Sequence, residues 1–321
     1  MTSSHPTLGL LFLGCGWAAT IHSRILRRLQ GVTLSYASRD AVRAESYRRR
    51  FGGQRAYGCY ESALADPRVD VVIVATPTAT HRELVLLALE AGKHVIVEKP
   101  AFMRAADVDV VRKVADRTGR RVLVAENYFY KPIAEHLRRV IASGDIGDVR
   151  FVSLNATKRQ RIDGWRDDAA LSGGGALFEA GIHWINFAAN IGLDVSELRA
   201  HRVGAADGPD RSSLVVIRYA NGAVGTLAHS WELAAPFGGL RLSKVQGTLG
   251  AVTFESNGLA HVTTGRRRAL GLSALSDPLG YRAMHEDFLA ALRSDRPARF
   301  TLDMAQSDLM LLEQAEQSMR E

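Results

Sequence analysis

The sequence predicts an α/β chain of two parts: an N-terminal doubly wound parallel sheet, then an α/β domain with a largely antiparallel, open sheet. Three observations carry this. Continuous apolar runs alternate with helical patterns over the first 126 residues, which is how a parallel sheet covered on both faces reads. After Asn127 the pattern changes to strand-like runs in close succession, two of them separated by Asn221-Gly222, a strong hairpin signal. The length, 321 residues, suits two domains at roughly 100–200 residues each. The expected division is 1–126 and 127–321.

In the first part, Leu8–Leu13 is a short apolar strand ending in glycines. Trp17–Gln30 is a helix, with Ile21, Ile25 and Leu29 at helical spacing. Val32–Ser38 is a strand and Asp40–Phe51 a helix. Val69–Ala75 is a buried strand ended by Thr76-Pro77. Thr80–Ala91 is a helix stopped by Gly92. His94–Val97, a helix over Ala105–Thr118 closed by Gly119, and a strand over Val122–Ala125 complete the alternation. In the second part a helix is expected over Pro132–Ser143, and strands at Val149–Ala156, Val195–Val203, Ser212–Tyr219, Ala223–Ser230 and Leu240–Gln246. One helix is expected over Leu177–Ile191, and two more near Tyr281–Leu292 and Met304–Met319.

Composition excludes several classes. Hydrophobic residues make up 46% and charged residues 23%, which is ordinary globular usage and not that of disorder or low complexity. No apolar run approaches the roughly 18 residues of a membrane span. The N-terminus lacks a basic region and a long enough apolar segment for a secretion signal, so a cytoplasmic protein is expected. The two cysteines, Cys15 and Cys59, cannot make a disulfide framework or a cysteine-type zinc site. No metal is expected, because His201, His229, His261 and His285 show no ligand spacing and read as structural or surface residues. The net charge of +7 comes from scattered arginines without a nucleic-acid motif, so solvated faces are expected and no nucleic-acid partner.

Gly14-Cys15-Gly16-Trp17-Ala18-Ala19 reads G-x-G-x-x-A between a strand and a helix. Gly14 permits the tight turn, Gly16 lets backbone approach a pyrophosphate, and Ala19 is small enough for helix–strand packing. The N-terminus of the helix, opened by Trp17, offers unpaired N–H groups and a positive dipole end. The ribose is read at the end of the second strand, where Ser38 and Arg39 stand, with Arg43 a turn later. Serine plus arginine suits a 2′-phosphate, since guanidinium pairs with phosphate through two parallel bonds. NADP is therefore expected ahead of NAD. The alternative is that Asp40 caps the next helix and Arg39 is merely solvated.

Further along stand Ala75-Thr76-Pro77-Thr78-Ala79-Thr80-His81 and Gly92-Lys93-His94-Val95-Ile96-Val97-Glu98-Lys99-Pro100. The second half has Trp165-Arg166-Asp167-Asp168, then Ser172-Gly173-Gly174-Gly175-Ala176-Leu177-Phe178-Glu179-Ala180-Gly181-Ile182-His183. Together these resemble the glucose–fructose oxidoreductase / inositol dehydrogenase (Gfo/Idh/MocA) family over nearly the whole chain. The resemblance implies a Rossmann domain followed by an α/β domain with an open sheet, bound NAD(P), and a sugar or polyol-like substrate in a cleft between domains. It implies Lys99 as the active-site lysine, His183 as catalytic base and Glu179 as its acidic partner. Two departures stand out: relatives often have Asp where Glu179 stands, and a second Asp where Asn186 stands. Asn127-Tyr128-Phe129-Tyr130-Lys131-Pro132 resembles the family segment after the last Rossmann strand, with Phe129 in place of an arginine.

The residue chemistry agrees with this. Oxidising an alcohol needs a hydride acceptor and a base for the hydroxyl proton, and histidine titrates near neutral pH. Glu179 and His183, four apart on one helix, share a face. Lys99 ends a parallel strand, where open α/β sheets bind ligands, and an ammonium there stabilises negative charge on a reacting oxygen. Thr76, Pro77, Glu98 and His81 lie at the same edge and are expected near the cofactor, with His81 more suited to local hydrogen bonding than to catalysis. Trp165, Arg166 and Tyr128 are expected to contact substrate. The leading function is hydride transfer between a nicotinamide and a sugar-like or polyol hydroxyl. The alternatives are a glycosidase using transient oxidation and a non-catalytic nucleotide-binding regulator. An open sheet face needs cover, so a homodimer or homotetramer is expected.

Overall fold

The computed structural model describes residues 6–160, 171, 173–204, 208–234, 239–272 and 276–321. The chain forms two compact units. The first is Met1–Ala125 with Tyr281–Gln306, and the second is Glu126–Gly280 with Ser307–Glu321. The expected division at residue 126 therefore needs a correction: residues 281–306 return to the first unit. Arg293 there donates to the Gly31 carbonyl at 2.7 Å, and Arg112 to the Asp303 carboxylate at 2.5 Å. These are long-range contacts that no local pattern announces.

The first unit holds six strands: β1 (Leu8–Leu13), β2 (Val32–Ala37), β3 (Arg55–Tyr57), β4 (Val71–Val74), β5 (His94–Glu98) and β6 (Val122–Ala125). All pairs are parallel, in the order β3-β2-β1-β4-β5-β6. β4 and β6 are buried at every position, because helices cover both faces of such a sheet. Those helices are α1 (Trp17–Leu26), α2 (Ala41–Phe51), α3 (Tyr60–Leu64), α4 (His81–Glu90) and α5 (Ala106–Thr118). Strand order reverses between β1 and β4, and ligands of open α/β sheets bind at the carboxyl ends of the strands at such a point. The short β3 and α3 were not expected from sequence. The exposed start of β3 and its three residues give no periodicity to read.

The second unit begins with α6 (Pro132–Ala142) and contains β7 (Val149–Thr157), α7 (Ile182–Ala189), β8 (Val195–Val203), β9 (Ser212–Tyr219), β10 (Val224–Ser230), β11 (Leu242–Gly247), β12 (Ala251–Glu255), β13 (Ala260–Thr264) and β14 (Ala269–Leu272). After these come α8 (Tyr281–Arg293), in the first unit, and α9 (Leu302–Ser318), which ends in the second. The eight strands lie in the order β14-β13-β12-β11-β7-β10-β9-β8. β7 and β10 pair parallel and every other neighbour is antiparallel. β9 and β10 form the expected hairpin, with Gly222 at φ 84° supplying the left-handed turn residue. Three strands, β12 to β14, extend the sheet beyond the sequence expectation. One face carries Val152, Leu154, Leu198, Ile217, Val245 and Phe254, all buried, and Phe187 of α7 packs on Phe254 at 5.8 Å between ring centroids.

The helix expected over 177–191 is two structures. Leu177–Gly181 is a π-helical turn, and α7 follows it directly. Asp210 receives its start: the Ala176 N–H donates to the Asp210 carbonyl at 2.8 Å and the Leu177 N–H to its carboxylate at 3.0 Å. A Cβ on Gly175 would lie 1.9 Å from the Asp210 carboxylate, so only glycine allows this docking. Extra-residue turns of this kind occur frequently at functional sites.

Candidate active site

Two half-sites can be built, one in each unit. In the first unit, Gly14 follows β1 with φ 99°. A Cβ there would meet the Ala75 carbonyl oxygen at 2.6 Å, so the turn requires glycine. A Cβ on Gly16 would meet nothing within 4 Å, which leaves backbone open to approach by a ligand. Gly16 caps α1 without a side-chain hydrogen bond, and the first turn holds no acidic residue. Its first turn thus leaves the N–H groups and dipole uncompensated by an acid of its own, which suits phosphate binding. Ala19 is fully buried, as helix–sheet packing demands, and Trp17 is exposed. Burial pushes the Cys15 thiol up to about 11, against the pull of Arg43, so Cys15 is an inert packing residue.

At the end of β2, the Ser38 hydroxyl accepts from the Asp40 N–H at 3.2 Å. Asp40 does cap α2, accepting from Val42 and Arg43. Arg39 and Arg43 are exposed. Thr76 follows β4 and pairs its hydroxyl with that of Thr80 at 2.7 Å; Pro77 precedes the 3-10 turn Thr78–Thr80. His81 is buried. Its Nδ1 faces the Pro100 and Ala101 carbonyls at 3.0 and 3.1 Å and its Nε2 the Thr76 carbonyl at 2.9 Å, so its ring ties two strand-end loops together. Glu98 closes β5 and accepts the Lys99 N–H at 3.1 Å. The Lys99–Pro100 peptide is cis.

In the second unit, His183 sits in the first turn of α7. Its Nδ1 lies 2.6 Å from Glu126 Oε1, and the same carboxylate oxygen accepts the Tyr128 N–H at 3.0 Å. Nδ1 therefore carries a proton. The Tyr128 ring stacks on the imidazole at 4.4 Å with 13° between planes. On Tyr128 in turn sits the Lys131 ammonium, 3.8 Å from the ring centroid. Burial draws the Lys131 pKa down to about 7, with Glu255 opposing the shift. Burial also pushes the Tyr128 phenol up to about 12.

The carboxylate at His183 Nδ1 is that of Glu126, a residue that the resemblance did not point to. Glu179 is buried in the π-helical turn, and its charge acts on His229. Asn186, where relatives carry a second Asp, donates to Asp308 at 2.7 Å. Trp165 and Arg166 lie outside the described residues.

Sequence reasoning missed two residues here. Glu126 and Lys131 belong to the connection after β6 and look like loop chemistry. His229, on β10, is fully buried, and burial holds its pKa near 3. Its Nδ1 and the Trp231 Nε1 have no hydrogen-bond partner. Buried polar atoms are normally paired, and among the described residues these two are not. Among the described residues no cluster could hold a metal ion, and no helix is long and apolar enough to cross a membrane.

Comparison with known proteins gives consistent results over both units. Residues 8–126 match the family described as "Oxidoreductase family, NAD-binding Rossmann fold", and residues 134–253 match the "GFO/IDH/MocA C-terminal domain". The chain is 30% identical over 311 residues to the uncharacterised oxidoreductase ORF334 of Rhizobium meliloti, covering 89% of this chain and 88% of that protein. It is 31% identical over 215 residues to trans-1,2-dihydrobenzene-1,2-diol dehydrogenase of Bos taurus, covering 64% and 62%. In fold it is similar to an aldose-aldose oxidoreductase from Caulobacter crescentus, crystallised with glycerol, at a TM-score of 0.87, 22% identity and 98% coverage of both chains. With the glycine loop, the six-stranded parallel sheet and the open second sheet, these matches establish that the chain belongs to the Gfo/Idh/MocA family of oxidoreductases.

Proposed function

We propose that this chain is an NAD(P)-dependent dehydrogenase that interconverts a secondary hydroxyl and a ketone on a sugar-like or polyol substrate, with His183 as base and Lys99 as the cation at the reacting oxygen. The observation that carries the proposal is the Glu126–His183 hydrogen bond, which fixes the ring tautomer. The names of relatives support the substrate class, since one acts on a cyclic diol and another on aldoses.

When bound, a nicotinamide would supply the acceptor for the hydride of the carbinol carbon, or its donor in reduction. His183 takes the hydroxyl proton at Nε2. Glu126 holds the Nδ1 proton and stabilises the imidazolium that forms, as a carboxylate does behind a histidine base. Lys99 donates to the oxygen as its charge develops. His229 and Trp231 offer N–H groups or a lone pair to further hydroxyls, because burial keeps His229 neutral at working pH. Trp165 and Arg166 remain substrate contacts of this proposal on the strength of the resemblance. Gly14, Gly16, Trp17 and Ala19 would hold the pyrophosphate at α1, and Thr76, Pro77 and Glu98 would border the nicotinamide. In this reading the protein works in the cytoplasm as a homodimer or homotetramer that covers the open face of its second sheet, where Phe151, Leu214, Leu242 and Leu270 are exposed.

The test is formation of reduced nicotinamide across a panel of sugars, polyols and cyclic diols. Turnover with none of them, alongside aglycone release from glycosides, would instead support the glycosidase reading. Nucleotide choice is tested separately. With Ser38, Arg39 and Arg43 at the ribose, NADPH is expected to bind tighter than NADH. Ser38→Asp with Arg39→Ala reverses that order, since a carboxylate repels phosphate and accepts from a free 2′-hydroxyl. Equal affinities in the wild type would remove the basis for the assignment.

A further inference from the structure

We infer that His22 is a positioning residue: anchored by His285, it holds the Glu98 carboxylate and thereby sets the strand end that carries Lys99 against the nicotinamide. The inference rests on the role given to Lys99 above and deepens it.

His22 lies on α1, one turn after the glycine loop, and is completely buried. Its Nε2 bonds Glu98 Oε1. Its Nδ1 lies 2.7 Å from Nε2 of His285, on α8. His285 is completely buried too, and Tyr281, a turn earlier on the same helix, meets the His22 ring edge-on at 5.5 Å. Glu98 uses its second oxygen for the Lys99 N–H. Three elements remote in sequence thus converge on one carboxylate: the helix after the glycine loop, the end of β5, and the segment that returns to this unit from the far end of the chain.

The protons in this chain can be counted. Glu98 accepts from two N–H groups, so His22 Nε2 is protonated. Burial, and to a lesser degree the neighbouring His22, hold the His285 pKa well below the ordinary value, so His285 is neutral with one ring proton. Placed on Nε2, that proton is donated to His22 Nδ1 and no buried N–H is left unpaired. The orphan is then the lone pair on His285 Nδ1, the atom without a partner. The opposite assignment leaves a buried N–H unpaired, at a cost of about 1–3 kcal/mol. The order His285→His22→Glu98 is therefore directional, and each group fixes the next.

Packing alone does not explain this arrangement. Two fully buried imidazoles joined to a part-buried carboxylate are expensive, and apolar side chains of similar volume fill such a space at lower cost. The polar chain ends on the residue beside Lys99, where small displacements matter: a shift of about 1 Å in a reacting group can reduce rate by about 100-fold.

The experiment compares His22→Leu, which has no donor, with His22→Gln, whose amide can donate to Glu98 and accept from His285. Two readouts are taken on each full-length protein after circular dichroism shows it folded: kcat, and the fluorescence of bound NADPH, which reports the nicotinamide surroundings without any substrate. His22→Leu is expected to lower kcat by about 10–100-fold, with KM changed far less, and to return bound-nucleotide fluorescence toward its value in water. His22→Gln is expected to restore both. Wild-type values of both readouts in folded His22→Leu overturn the inference, and so does a His22→Gln protein as impaired as His22→Leu. Should the wild type turn over no polyol at all, the dehydrogenase reading fails, and the fluorescence arm still decides the role of His22.

Discussion

Each unit of this protein contains a histidine bonded to a glutamate that ends a strand or directly follows one, and the two pairs are built for different work. In the first unit, both nitrogens of His22 are committed, one to Glu98 and the other to His285, and its side chain has no solvent exposure. In the second unit, Glu126 takes the Nδ1 of His183, the side chain keeps 13% exposure, and an aromatic ring covers one face. An imidazole tied at both ends holds geometry. A carboxylate behind an imidazole favours proton uptake at the other ring nitrogen. In the proposed roles, the same two residue types serve as a strut in one unit and as a base in the other.

The largest effect that could break this comparison is at His183. His183→Ala is expected to lower turnover by about 10²–10⁴-fold, the range of a positioned general base. Nucleotide affinity should be preserved, because His183 belongs to the second unit while the glycine loop belongs to the first. Steady-state kinetics with a nucleotide titration check both. A variant with wild-type turnover would move the base elsewhere. Tyr128 is poorly placed to take over, since burial pushes its phenol up to about 12.

A smaller effect is expected from the carboxylate. Glu126→Gln keeps the size of the side chain but removes the charge that favours imidazolium. Turnover should fall by about 10-fold, less than for loss of the base itself. The acid limb of the kcat/KM profile should move to lower pH, because a histidine that loses a neighbouring anion gives up its proton more readily. Glu179→Gln should shift the limb less. If Glu179→Gln shifts it more, the partner implied by family resemblance acts on His183 after all, and the Glu126 contact is secondary.

The two pairs also differ in how far sequence could reveal them. Strands β1, β4, β5 and β6 were legible because burial on both faces writes itself as unbroken apolar runs. The glycine loop was legible because its conformational demands fall on adjacent residues. The face of α1 was not. Ile21, Ile25 and Leu29 mark the helical spacing, whereas Ala19, His22, Ser23 and Leu26 are the buried residues. His22 and Ser23 tolerate the interior because each has a partner, Ser23 accepting from the Tyr36 hydroxyl at 3.0 Å. Hydrophobic periodicity cannot register a polar residue buried by pairing. Glu126 was missed for a related reason: helix spacing pointed to Glu179, four residues from His183, while the bonded carboxylate lies 57 residues away. His285 and the return of α8 to the first unit depend on contacts across more than 260 residues.

The smallest expected effect separates the surroundings of the two pairs. His22 is backed by a neutral imidazole, whereas the ring stacked on His183 is backed by Lys131, a cation enclosed by protein. Burial lowers the Lys131 pKa from 10.5 to about 7. The unfolded chain therefore binds this proton more strongly than the folded one does. The penalty is fully present below about pH 7 and disappears above the unfolded value, so stability should rise as pH increases between the two. One such group contributes a slope of up to about 1.4 kcal/mol per pH unit in that window. Lys131→Met removes the titrating group and keeps an unbranched side chain against Tyr128 and Trp184. Urea unfolding at several values between pH 7 and pH 10 should show a gradient in the wild type and a flatter one in the variant, with the variant the more stable at the acid end. Parallel gradients in the two proteins would mean that Lys131 is not the titrating group, and that its ammonium keeps an ordinary proton affinity over the Tyr128 ring. The cation–π contact would then have offset the burial, and the surroundings of His183 would stay as constant with pH as those of His22.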